Sequence, residues 1–142
     1  MPRISRSHLS KNQLNDVNQH FLYLISSLAN TKDVEAFLEE FLTTEEKVML
    51  AKRLVLFMML AKEYPEDSIK NILHFSHETI RTYKNNFVFK SASFHANIQK
   101  LIKKERSKQF FKKLEKILDL LATLSASKTS IKARRKILSG EW

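Results

Sequence analysis

A chain with a single glycine and two prolines among 142 residues can build few architectures. Tight hairpins, phosphate-cradling loops and dinucleotide fingerprints need backbone angles that only glycine adopts without strain, so those designs drop out. What remains is helix. Leu, Ile, Lys, Glu and Phe recur at helical spacing along most of the length, which predicts an all-α protein. With 43% hydrophobic residues, the chain suits one domain and a modest core, with a tail.

Cysteine is absent. Disulfides, thiolate nucleophiles and cysteine-based zinc or iron–sulfur sites are therefore excluded. No stretch reaches the ~18 consecutive apolar residues of a membrane span, and no apolar leader follows the start, so a cytoplasmic protein is expected.

The formal charge of +10 is unevenly placed. Residues 33–46 hold Asp33, Glu35, Glu39, Glu40, Glu45 and Glu46 and no base. Residues 90–116 hold nine Lys or Arg against Glu105 and Glu115, and residues 128–142 add five bases against Glu141. Concentrated positive charge favours a polyanion, because each neutralised phosphate releases counterions. A solvated helix surface is the plainer use of the same residues.

Along the chain, residues 1–11 read as a flexible basic arm and 12–30 as a first helix with Leu14, Val17, Phe21, Leu24, Ile25 and Leu28 on one face. Thr31 and Asp33 offer a cap for a second helix over 34–42. Thr43 or Thr44 caps a third; from Thr43, Glu46 stands at the capping-box position. This third helix is apolar on nearly every side from Val48 to Leu60, so other helices or a partner chain must wrap it. Pro65 is expected to end it. Phe87, Val88 and Phe89 are expected to pack back onto the domain, which spans 12–93. A basic amphipathic helix is predicted over 94–124, with Phe110, Leu114, Ile117, Leu121 and Leu124 in a short heptad-like seam. That seam suits a coiled coil or packing against the core. The SASKTS run, 125–130, reads as a break that opens a basic tail, 125–142.

The most informative stretch is SIKNILHFSHETIRTYK, residues 68–84. Ile69, Leu73, Phe75 and Ile80 have the offsets of a helix-turn-helix, whose two helices cross over a small shared core. Ser76 can cap the second helix and bring its N-terminus near a phosphate. His77, Glu78, Arg81, Thr82, Lys84 and Asn85 fall at or near the exposed side. Arg can pair with guanine edges and Asn with adenine, while Thr can meet a thymine methyl and Glu a cytosine amino group. Lys84 and Lys90 suit phosphates. The corner position, His74, ordinarily favours glycine because of its left-handed backbone.

The flanks extend the pattern. Leu42, Thr43, Leu50 and Arg53, then Ile69-Lys70-Asn71, Leu73 and Thr79-Ile80, stand in the order and spacing of the Trp repressor family, which residues 14–90 resemble. The resemblance implies an all-helical, intertwined homodimer that binds double-stranded operator DNA, with two reading helices one DNA turn apart. It also makes Thr43 and Arg53 candidates for an effector pocket. The family's second ligand arginine is Thr82 here and its following glycine is Tyr83, so tryptophan is not expected as effector. Arg81 lies about 100° round the helix from Thr82 and is no simple replacement. Arg53 could equally pair with the acidic second helix.

Other chemistry finds little footing. His74 and His77 could share a metal but lack a third ligand, and no spacing identifies a nucleophile with its base, so neither a metal, a cofactor nor an enzyme is expected. The phenylalanines interleaved with bases could stack on single strands, and the basic helix could lie on an anionic membrane. Both uses compete with plain core packing. The expectation is a dimeric, sequence-specific DNA-binding transcriptional regulator. Its rivals are a non-specific nucleic-acid-binding or architectural module and a protein-interaction bundle.

Overall fold

Helix follows helix throughout the described residues, which in this computed structural model are 8–138, with side chains described for 8–124. Residues 1–7 of the expected arm and 139–142 of the expected tail lie outside them. Seven α-helices and no strand are present among the described residues: α1 Lys11–Ser27, α2 Thr31–Phe41, α3 Thr44–Ala61, α4 Glu66–Leu73, α5 His77–Val88, α6 Ala92–Ile102 and α7 Glu105–Leu138. The chain divides into two compact units between Met49 and Leu50.

In the first unit, local capping sets the helix starts. Ser10 opens α1 through a capping box: Gln13 N–H donates to Ser10 Oγ at 3.3 Å, and Ser10 N–H to Gln13 Oε1 at 3.0 Å. Asn30, rather than Thr31 or Asp33, caps α2, accepting from Asp33 N–H at 3.1 Å. Thr43 and Glu46 form the expected box at α3, with Glu46 N–H donating to Thr43 Oγ1 at 3.2 Å. Phe41 stacks with Phe21 and Phe37 at 5.9 and 5.0 Å between centroids. Even so, no described residue before Leu56 is buried.

The second unit holds the core. Leu56, Met59, Ile69 and Ile80 are fully buried, joined by Leu73, Ile98, Phe111 and Leu114. Each such side chain contributes roughly 1.5–3 kcal/mol by leaving water. Phe57 sits among Tyr83, Phe87 and Phe94, with centroids 5.7, 6.0 and 5.1 Å away. α7 docks through Phe111, which stacks on Tyr64 at 5.8 Å and lies under the Lys62 ammonium at 4.2 Å. The Tyr64 hydroxyl donates to Glu115 Oε1 at 3.1 Å.

Besides the α2 cap, four expectations need correction. α3 ends at Ala61, before Pro65 acts: Glu63 turns left-handed (φ 58°), Tyr64 N–H donates to Met59 O, and Glu63 N–H to Leu60 O. That is a Schellman closure. Phe87 packs inward, but Val88 and Phe89 stay exposed at the end of α5. The single helix over 94–124 is two helices, parted at Lys103 and Lys104. Finally, SASKTS is no break, because the helical backbone of α7 continues to Leu138. Of the heptad-like seam, Leu114 is buried and Phe110 packs on the core, while Ile117, Leu121 and Leu124 are exposed.

Candidate nucleic-acid interface

α4 and α5 meet at the corner the spacing anticipates. His74 occupies the left-handed region (φ 56°, ψ 36°), and its N–H closes α4 on Lys70 O at 2.8 Å. A residue with a Cβ holds this geometry at some cost, which the buried Ile69, Leu73 and Ile80 around the corner offset. Phe75 is half-buried, with the Lys52 ammonium 5.5 Å from its ring centre. Ser76 then starts α5, accepting from Thr79 N–H at 3.1 Å, and its Oγ lies 2.9 Å from Thr79 Oγ1.

Ile80 faces the core, with Tyr83 and Phe87 packed beside it, while Glu78, Arg81, Thr82, Lys84 and Asn85 are exposed. Thr82 Oγ1 donates to Glu78 O at 2.9 Å, tying it to its own helix. Lys90 follows the helix end, with its ammonium 5.9 and 5.5 Å from the Phe57 and Phe94 ring centres. Beside the corner, an open cleft of about 670 Å³ is lined by Lys70, Asn71, His74, Phe75, Ser76 and Leu121 of α7.

Sequence reasoning missed Glu66. From the first turn of α4 it accepts from Arg81 Nε at 3.3 Å and from Lys84 Nζ at 3.4 Å. His77 is half-buried beside it, its Nε2 3.3 Å from Asp67 Oδ1 and its Nδ1 3.8 Å from Glu66 Oε2. Desolvation alone would push the Glu66 carboxyl up, but the hydrogen bonds and charges of Lys84 and Arg81 outweigh it and hold the group below the usual carboxylate range. Three candidate reading residues are thus gathered by one acidic helix start.

The effector candidates lie in different units, Thr43 in the first and Arg53 in the second. Thr43 is committed to its capping box, and Arg53 is half-buried. Tyr83 sets its ring edge-on to Phe57.

The sequence matches the profile of the family described as Trp repressor protein over residues 16–102. This chain belongs to the Trp repressor family. The matched span takes in α2 to α6 and most of α1, and stops short of α7. Membership in the Trp repressor family points to a DNA-binding regulatory role carried by the helix-turn-helix, and to a non-enzymatic one. Among the described residues no three His, Asp or Glu gather as a metal site, and no helix is long and apolar enough to cross a membrane. Neither the curated proteins nor the solved structures hold a significant match to the chain.

Proposed function

We propose that the protein is a homodimeric transcriptional regulator that reads double-stranded DNA in sequence-specific fashion, in the cytoplasm, with α5 in the major groove. Basic side chains around the corner and on Lys90 fix its register on phosphates, and residues 77–85 read the bases. The observation that supports this most directly is the locked corner. Fully buried Ile69 and Ile80 fix α5 from beneath, while Arg81, Thr82 and Asn85 stand exposed above. Any small-molecule effector is something other than tryptophan. Tyr83 fills the position that the family leaves open, and its ring already has a partner in Phe57.

A second reading draws on α7, where Lys108, Lys112, Lys113 and Lys116 are all exposed. A phosphate-tracking helix would bind nucleic acid broadly and with steep salt dependence. Selection of bound sequences from a random duplex pool separates the two. Arg81→Ala should then weaken the selected site by about tenfold or more while changing a scrambled duplex far less, as expected for a lost base pairing of ~1–3 kcal/mol. Equal losses on both duplexes, read by fluorescence anisotropy, would make Arg81 a phosphate contact, and no loss on either would favour α7.

A further inference from the structure

We propose that Glu66 is a positioning residue for base recognition, holding Arg81 ready by one edge of its guanidinium while masking positive charge that would bind any phosphate. This rests on the reading of α5 as the base-contacting helix.

The geometry is specific. Glu66 comes from α4, the opposite arm of the corner, and divides its oxygens: Oε2 takes Arg81 Nε and Oε1 takes Lys84 Nζ. His77, Arg81 and Lys84 are spaced four and three residues apart, so a helix of ~3.6 residues per turn puts them on one side of α5. The carboxylate is the more enclosed partner, at 26% exposure against 68% for Arg81 and 57% for Lys84. A fixed anion therefore restrains two outward-reaching cations.

Arginine carries five N–H donors in a rigid fork. Engaging Nε leaves the donors on both terminal nitrogens free, and a paired set of that kind matches the N7 and O6 acceptors of guanine. Orienting the fork before DNA arrives removes part of the ordering cost at the moment of contact. Lys84 has no such fork. As a point charge already beside a carboxylate, it releases fewer counterions on a phosphate than a free lysine would. Glu66 thus favours discrimination at the expense of general affinity.

The test compares the full-length protein with Glu66→Gln on a selected duplex and its scrambled counterpart, by anisotropy over a range of salt. Glu66→Gln should bind the scrambled duplex about three- to tenfold more tightly, with a salt slope steeper by ~0.9 for one added phosphate contact. The ratio of selected to scrambled affinity should fall about tenfold. In an Arg81→Lys background, which has no fork to orient, the same change should leave that ratio alone. An unchanged ratio in Glu66→Gln, or an equal fall of the ratio with and without Arg81, overturns the proposal. Weaker binding to both duplexes with helical circular dichroism intact also overturns it. If the unaltered protein shows no preference for any duplex, base reading itself fails and this inference falls with it.

Discussion

Two regions of this chain carry apolar faces and use them very differently. From Leu56 to Leu60 every residue of α3 is buried, and α4 to α7 close round them. In α1 and α2, by contrast, no residue is buried, and Leu14, Val17, Phe21, Leu24 and Ile25 are exposed large hydrophobics on α1. Val48, Leu50 and Leu54 on the early turns of α3 are exposed too. An apolar helix face becomes a core only when another face covers it. Around Leu56–Leu60 the second unit supplies its own cover. The open apolar face of α1 in the first suits a second copy of the chain, as the homodimer proposal requires.

The sharpest test of that contrast is truncation inside the self-covered region. Leu56→Ala should cost about 2–5 kcal/mol in chemical denaturation, because the fully buried side chain leaves a cavity. A loss below 1 kcal/mol would mean the site collapses freely and the core is less packed than its burial suggests. Next in size is the open stripe. Phe21→Glu should weaken self-association at least about tenfold, ~1.4 kcal/mol, seen as a fall in mass by light scattering with helicity kept. An unchanged mass would assign the α1 face to some other partner.

The smallest expected effect concerns the joint between the α3–α4 connector and α7. Burial first, then the hydrogen bond and charge of Glu115, push the Tyr64 hydroxyl from 10.0 up to about 12. The folded state therefore favours the neutral phenol. Its contribution is complete below pH 10.0 and is lost as pH rises through about 12. Tyr64→Phe should cost about 1 kcal/mol at neutral pH and flatten the alkaline unfolding curve. A curve of unchanged steepness would show that Glu115 does not sense the hydroxyl.

Much of the corner could be read before any coordinates. Ile69, Leu73 and Ile80 are core by spacing alone, and His74 takes the left-handed geometry assigned to it. Ser76 and Thr43 cap as their positions in the chain require, since a cap needs only a hydroxyl and an N–H three residues on. What the pattern could not reveal depends on approach in space. Glu66 meets Arg81 and Lys84 across fifteen and eighteen residues, a contact set by how α4 crosses α5 and not by any local period. The gap at Lys103 and Lys104 is hidden for a related reason. Both are good helix formers, so local propensity does not mark the boundary between α6 and α7. Glu63 gave no sign of its left-handed turn, because a Schellman closure is made by backbone atoms.

α7 has a mechanical consequence. Its 34 residues at ~1.5 Å each make a rod about 50 Å long, and the last buried residue among its described side chains is Leu114, in the third turn. Another 24 residues of helical backbone follow Leu114, roughly 36 Å of rise, and Leu121 among them still lines the cleft beside α4. The hold of the rod on the rest of the fold is therefore set in its first three turns, where Phe111 and Leu114 are buried.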